Sequence, residues 1–205
     1  KKTAELGGKV VAIAGPDGYI YDPDGAVTDE KINYLLEMRA SGRDKVQDYA
    51  DKFGCEFHAG EKPWGLGADK VDIMMPCATQ NDVNMDSAKK IAASGIKYYI
   101  EVANMPTTND ALEFLKEQKH MVIAPSKAVN ACGVAVSALE MAQNAERLYW
   151  TAEEVDAKMH QIMANIYHSS VAAAERYGLG YDLVAGANIV GFQRVADAMT
   201  AQGIF

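Results

Sequence analysis

Residues 97–103, KYYIEVA, form a short apolar stretch rich in β-branched and aromatic side chains. Three more stretches have the same character: KVVAIAG at residues 9–15, KVDIMMP at 70–76 and HMVIAP at 120–125. Continuous apolar runs of this length are typical of strands that are buried on both faces of a parallel sheet. We therefore predict four strands at these positions.

Helical patterns separate the predicted strands, at about residues 28–53, 86–94 and 108–118. Thr28 is a predicted N-cap for the first of them, and Gly54 a predicted stop. Strands that alternate with helices indicate an α/β fold with right-handed crossovers, so we predict that the strands lie parallel.

The strand signals end at Pro125, and helical segments follow at about residues 131–148, 151–177 and 183–202. The second of these begins with Thr151 and Glu154, which have the spacing of a capping box. No linker or repeat divides the chain. We predict one domain over residues 1–205, with alternating strands and helices to about residue 130 and a helical layer at 131–205.

The composition narrows the function classes. The formal net charge of −8 and the pI of about 5.0 argue against binding to nucleic acid or to an anionic membrane. No apolar run is long enough for a membrane span and no signal-peptide pattern opens the sequence, which favours a cytoplasmic location. The three cysteines and four histidines lack the spacing of a disulfide framework or metal site, and we predict neither.

Asp17 follows the predicted strand 9–15, within a Pro-Asp-Gly turn. Ligands of doubly wound sheets bind beyond the carboxyl ends of the strands, and dinucleotide-binding folds place an acid at the end of the second strand to bind the adenosine ribose. The alternative is a simple turn residue. A Gly-rich loop would have to precede this strand by about twenty residues. Only residues 1–8 precede it, and KKTAELGG has the character of a helix end. We therefore expect a fragment: a Rossmann-like, doubly wound parallel sheet that lacks its first strand and Gly-rich loop, followed by C-terminal helices.

Four further segments follow strand ends or lie in the predicted helical layer: PCATQN at 76–81, EVANMPTT at 101–108, PSKAVNACGVAVSALEMAQN at 125–144 and GANIVGFQRVADAM at 186–199. Their order and spacing resemble those of glutamate dehydrogenases of the bacterial hexameric type. The resemblance covers essentially all 205 residues. It implies the C-terminal, cofactor-binding part of such an enzyme, with the N-terminal substrate and assembly domain absent.

The resemblance also implies site residues. For the cofactor these are Asp17, Ala78, Thr79, Asn104 and Asn130; for the substrate they are Asn130, Val134 and Ser137. An amide both donates and accepts hydrogen bonds, which suits a neutral carboxamide or a ribose hydroxyl. If a helix begins near residue 131, Asn130 and Ser137 face the same side. The alternatives are a helix-start loop at Ala78 and Thr79, a capping role for Asn104 and a packed small residue at Ser137.

Cys132 departs from the family pattern, which has glycine at this position of the N-A-G-G-V loop. If that glycine is needed for a positive φ angle or a close approach of the backbone to a ligand, Cys132 is strained or narrows the site. A thiol at this position is also open to oxidation.

The activity implied by the resemblance is reversible oxidative deamination of L-glutamate to 2-oxoglutarate and ammonia by a homohexamer. The Asp17 carboxylate favours NAD over NADP, because the 2′-phosphate of NADP would meet a like charge. The acid and base residues are expected in the absent domain, so none is assigned here and this chain alone is expected to be inactive. Two alternatives stay open: a related branched-chain or aromatic amino-acid dehydrogenase, which Ser137 disfavours, and a non-catalytic nucleotide-binding or structural fragment.

Overall fold

A computed structural model describes residues 1–203 of the chain. The chain divides into two compact units, Lys1–Val71 and Asp72–Phe205. Residues 204 and 205, the end of the predicted helical layer, lie outside the described residues. Each unit is described by itself.

The first unit combines short helices with three short strands. Its elements are, in chain order, α1 (Lys2–Glu5), β1 (Ala12–Gly15), β2 (Gly18–Tyr21), α2 (Asp29–Ala40), α3 (Val46–Phe53), β3 (Glu56–Ala59) and a 3₁₀ turn at Pro63–Gly65. The predicted helix end before Gly7 is confirmed by α1, and Gly7 has a φ of +81°. Residues 28–53, predicted as one continuous helical pattern, form two helices, α2 and α3. The chain turns between them at Gly42, where φ is +71°.

The strands of the first unit differ from the sequence-based expectation. β1 pairs antiparallel with β2, and β2 pairs antiparallel with β3, so the prediction of a parallel arrangement was wrong for the strand at residues 9–15. Strands β2 and β3 were not predicted. Gly15 lies opposite Gly18, so Pro16 and Asp17 form a two-residue hairpin loop between β1 and β2.

A buried ion pair lies within the first unit. Lys31 Nζ is 2.6 Å from Asp22 Oδ2, and the Tyr49 hydroxyl donates to the same oxygen at 2.7 Å. The backbone N–H groups of Asp24 and Gly25 donate to Asp22 Oδ1 at 3.1 and 3.2 Å. Burial acts to raise the pKa of the Asp22 carboxyl, but these hydrogen bonds and the Lys31 charge outweigh it and hold the pKa below its usual value.

The second unit contains the parallel sheet that the sequence predicts. Strands β4 (Ile73–Met74), β5 (Tyr98–Ile100) and β6 (Val122–Ala124) pair in parallel in that order. Helices α4 (Met85–Ser94) and α5 (Asn109–Lys116) connect them. The sheet core includes fully buried Tyr99, whose hydroxyl is 2.8 Å from Thr107 Oγ1. Burial is the main reason that the pKa of Tyr99 lies well above its ordinary value, so this hydroxyl stays neutral.

Four helices follow the last strand. Within residues 1–203 they are α6 (Ser126–Val129), α7 (Ala131–Glu146), α8 (Ala152–Arg176) and α9 (Leu183–Gln202). The last three lie close to the three predicted helical segments, and α6 was not predicted. The capping box is confirmed: Glu154 N–H donates to Thr151 Oγ1 at 3.2 Å, and Thr151 N–H donates to Glu154 Oε2 at 2.7 Å. Among residues 1–203, no helix has both the length and the apolar character needed to cross a membrane.

Gly186 of α9 lies directly against the backbone of α8. A Cβ at this position would overlap the Ser170 carbonyl oxygen. We expect Gly186→Ala to lower the free energy of unfolding of the second unit by about 2–3 kcal/mol, because backbone must shift to admit the methyl group. In the same helix, a Cβ on Gly191 would meet nothing within 4 Å. Gly191→Ala is therefore the control, and we expect it to stabilise by about 0.5–1 kcal/mol. Urea unfolding followed by far-ultraviolet circular dichroism compares the two; equal midpoints would contradict the close contact.

Candidate functional site

Backbone hydrogen bonds connect two loops at the carboxyl edge of the parallel sheet. Asn81, after β4, and Met105, after β5, have left-handed φ angles of 57° and 48°. Asn81 N–H donates to the Met105 carbonyl oxygen at 3.0 Å. Val83 N–H donates to the Pro106 carbonyl at 2.9 Å, which continues the contact. Residues held in this sparsely populated region cluster at active sites and ligand clamps, which makes this edge of the sheet a candidate functional site.

A cleft of about 790 Å³ opens at this edge within the second unit. Ten residues line it: Ala78, Gln80, Val102, Ala103, Asn104, Lys127, Asn130, Ala131, Gly133 and Val134. Four of them were predicted as site residues, namely Ala78, Asn104, Asn130 and Val134. They come from the loop after β4, the loop after β5 and the start of α7, and the fold brings them together as ligand sites of doubly wound sheets require.

The two asparagines of the cleft form a pair. Asn130 Nδ2 donates to Asn104 Oδ1 at 2.7 Å. Among the described residues, no protein group bonds to Asn104 Nδ2 or to Asn130 Oδ1. The pair therefore offers one amide donor and one amide acceptor side by side to a neutral ligand group.

Lys127 and Gln80 also line the cleft but were not predicted as site residues. Lys127 Nζ donates to Asn188 Oδ1 at 2.6 Å, which joins α6 to α9. Of the described residues that line the cleft, Lys127 alone is charged. Both residues lie inside segments that the sequence singled out, PCATQN and PSKAVN, so the signal for them was their position beside the predicted residues.

Two other predicted residues of the second unit, Thr79 and Ser137, do not line the cleft. Ser137 is exposed on α7. The helix begins at Ala131, which was the condition for Asn130 and Ser137 to face the same side. Its hydroxyl donates to the Gly133 carbonyl of the preceding turn at 3.3 Å. Thr79 is exposed and belongs to the loop after β4. Their roles remain proposals.

Cys132 has an ordinary right-handed helical backbone. It lies in the first turn of α7, and it is not among the residues with a positive φ angle. A right-handed helical backbone accepts any L side chain, so the family glycine is not needed here for conformational freedom.

In residues 1–203, His, Cys, Asp and Glu side chains form no group of three that could hold a metal ion.

Asp17, in the first unit, holds the start of a helix. Its Oδ1 accepts from Val46 N–H and its Oδ2 from Gln47 N–H, both at 3.1 Å. Lys45, the residue at the N-cap of α3, makes no side-chain capping bond, so Asp17 replaces it from a distant part of the sequence. Each carboxylate oxygen keeps a second acceptor position. A ribose contact therefore stays compatible with this capping role.

We expect Asp17→Ala to lower the free energy of unfolding of the first unit by about 1–2 kcal/mol, because two N–H groups of α3 lose their acceptors. Asp51→Ala, at an exposed position of the same helix, is the matched control and should change the free energy by less than about 0.5 kcal/mol. Trp64 is buried in this unit, so urea unfolding can be followed by its fluorescence in a Trp150→Phe background. A stable Asp17→Ala protein would show that the cap contributes nothing.

Comparison with known proteins agrees with this architecture. The NAD-specific glutamate dehydrogenase of Clostridium symbiosum is 72% identical over 204 residues, which are 100% of this chain and 45% of that protein. The NADP-specific glutamate dehydrogenase of Escherichia coli is 48% identical over 206 residues, 100% of this chain and 44% of that protein. A solved glutamate dehydrogenase structure superposes with a TM-score of 0.94 at 72% identity, covering 100% of this chain and 45% of that one.

The chain thus spans less than half the length of these relatives. The predicted α/β class, with a parallel sheet and C-terminal helices, is confirmed by the superposition. Residues 1–203 match the family described as Glutamate/Leucine/Phenylalanine/Valine dehydrogenase. The chain is a member of that family, and it corresponds to a C-terminal part of its relatives.

Proposed function

We propose that this chain is the cofactor-binding part of an oxidoreductase that converts L-glutamate to 2-oxoglutarate and ammonia with NAD. The observation that carries the proposal is the Asn104–Asn130 amide pair in a cleft at the carboxyl edge of a parallel sheet. The name of the Clostridium symbiosum relative supports both the substrate and the cofactor.

The cleft fits the nicotinamide end of such a cofactor. A carboxamide needs both a donor and an acceptor, and Asn104 Nδ2 and Asn130 Oδ1 supply them. None of the residues in 1–203 that line the cleft carries a carboxylate. We propose that Ala78 and Thr79 contact the ribose next to the nicotinamide. When bound, NAD accepts the hydride that glutamate loses on oxidation.

The residues of this chain orient and bind, and they do not exchange protons with the substrate. Asn130, Val134 and Ser137 are proposed to contact the amino acid, with Ser137 donating to its distal carboxylate. We assign no catalytic acid or base to this chain. Holding two reactants in a productive geometry lowers the barrier of their reaction, and orientation of this kind is the contribution that we propose for this chain.

The preference for NAD is proposed to come from Asp17. Its carboxylate accepts hydrogen bonds from ribose hydroxyls and repels a 2′-phosphate. The NADP-specific Escherichia coli relative shows that both cofactors occur among similar proteins, so the choice has to be measured. We further propose that residues 1–205 form a single cofactor-binding domain. The natural polypeptide that carries them is proposed to be a homohexamer in the cytoplasm.

The test is an assay of the natural polypeptide that carries this chain. L-Glutamate, L-leucine, L-phenylalanine and L-valine are each supplied with NAD or NADP, and formation of reduced nicotinamide is followed by absorbance. The proposal predicts the highest kcat/KM with glutamate and NAD. A preference for leucine or phenylalanine would establish a related dehydrogenase, and absence of turnover together with nucleotide binding would establish a non-catalytic nucleotide-binding protein.

A further inference from the structure

Glu101 is a buried acid for which the proposed reaction has no use. It follows β5 directly and is only 3% exposed. Its Oε2 accepts from Ser126 N–H at 3.2 Å. Among the described residues, no lysine, arginine or histidine pairs with this carboxyl group. Buried acidic side chains are rare unless they are paired with a basic group. A buried carboxyl group that accepts a hydrogen bond from one backbone N–H therefore indicates a structural or functional role for Glu101.

The reason lies in the segment that Glu101 holds. Ser126 is the first residue of α6 and follows Pro125, which has no N–H group. The Ser126 N–H has no carbonyl partner within the helix, because the first donors of a helix never do. Glu101 supplies the acceptor and fixes where the helix begins.

From Ser126 the contacts lead to the amide pair. The Ser126 carbonyl accepts from Asn130 N–H at 2.9 Å, one turn further along. Asn130 Nδ2 then donates to Asn104 Oδ1 at 2.7 Å, and Asn104 lies three residues after Glu101. The loop after β5 and the segment from Ser126 to Asn130 are thus joined at both ends, by Glu101 at the buried end and by the asparagines in the cleft.

We propose that Glu101 is a positioning residue for the Asn104–Asn130 pair. It acts through Ser126 and touches neither cofactor nor substrate. The assignment rests on the proposed function for its effect on turnover, whereas its effect on the segment from Ser126 to Asn130 does not depend on any activity.

Two substitutions separate hydrogen bonding from packing. Glu101→Gln keeps a side-chain oxygen that can accept from Ser126 N–H. Glu101→Met has similar length and fills the same space, but its thioether is only a weak acceptor. Glu113→Ala is the control, because Glu113 is exposed on α5 and pairs only with Lys116 on the same helix.

Two measurements are made on the natural polypeptide. Hydrogen exchange with mass spectrometry reports on peptides that span residues 122–133. In Glu101→Met we expect amide hydrogens of these peptides to exchange at least about ten times faster than in wild type. In Glu101→Gln and Glu113→Ala the exchange rates should be unchanged. Steady-state kinetics should show a fall of about tenfold to a hundredfold in kcat/KM for NAD in Glu101→Met, and a change of less than about threefold in Glu101→Gln.

The outcomes are distinguishable. Unchanged exchange at 122–133 in Glu101→Met would overturn the positioning role, and so would equal effects of Met and Gln. If the wild-type polypeptide reduces no NAD with glutamate, the proposed function fails, while the exchange data still decide the role of Glu101.

Discussion

Replacement of Asn130 by alanine is expected to lower kcat/KM for glutamate and NAD by about a hundredfold or more in the natural polypeptide. The substitution removes the amide that donates to Asn104 at 2.7 Å and that offers its own oxygen to the cleft. Removal of one oriented donor from an oxyanion hole lowers turnover by about a hundredfold to a thousandfold, and we expect loss of an orienting amide beside the nicotinamide to have an effect near the lower end of that range. Steady-state kinetics with NAD and glutamate varied in turn measures it.

The control for this prediction lies on the same helix. Asn144 is exposed near the end of α7 and does not line the cleft, so Asn144→Ala should leave kcat/KM within about twofold. The double variant Asn104→Ala/Asn130→Ala should lose less than the product of the two single effects, because both substitutions break the same contact. A kcat/KM for Asn130→Ala within threefold of wild type would remove the amide pair from the proposed site.

The second large effect is expected on stability. Asp22→Asn should lower the free energy of unfolding of the first unit by about 2–3 kcal/mol at neutral pH, because it leaves the partly buried Lys31 ammonium group without its counter-charge. Asp24→Asn is the control, since Asp24 is exposed and its carboxylate makes none of these contacts. Urea unfolding followed by Trp64 fluorescence in a Trp150→Phe background measures both.

The same carboxyl group predicts a pH dependence. The pKa of Asp22 is lower in the folded chain than the value of about 3.9 for an unfolded one, so the folded state binds its proton less readily. Its contribution to stability is therefore fully present above about pH 5 and is lost as the pH falls through the lowered folded-state pKa. The free energy of unfolding of Asp22→Asn should fall less steeply with acid than that of wild type. Parallel acid curves for the two proteins would contradict this assignment.

The ends of the longer helices were predictable where their signals are local. Thr151 and Glu154 define the start of α8 within four residues, and Gly54 and Gly95 end α3 and α4 in left-handed conformations. The strand at 97–103 was equally clear, since its apolar run is continuous. These features depend on a few neighbouring residues and need no knowledge of the rest of the fold.

The hairpin in the first unit could not be identified in the same way. The four-residue strand β3, EFHA, is half polar, and it pairs with β2 across two intervening helices. The capping of α3 by Asp17 joins residues that are 29 and 30 positions apart. Contacts of this kind follow from tertiary packing, which short-range patterns do not encode.

The candidate site was predicted by resemblance and given its geometry by the structure. The segments EVANMPTT and PSKAVN pointed to Asn104 and Asn130 separately, but nothing in their spacing showed that one amide donates to the other. Glu101 lies in the first of these segments but was not predicted as a functional residue, because acidic side chains are mostly exposed and the burial of this one is visible only in the fold.

The most direct test of the proposed cofactor site is a crystal structure of the natural polypeptide with NAD bound. We predict nicotinamide density in the cleft, with its carboxamide within hydrogen-bonding distance of Asn104 Nδ2 and Asn130 Oδ1. Density for the nicotinamide at another place, with the Asn104–Asn130 pair still closed on itself and facing solvent, would contradict the assignment of this cleft.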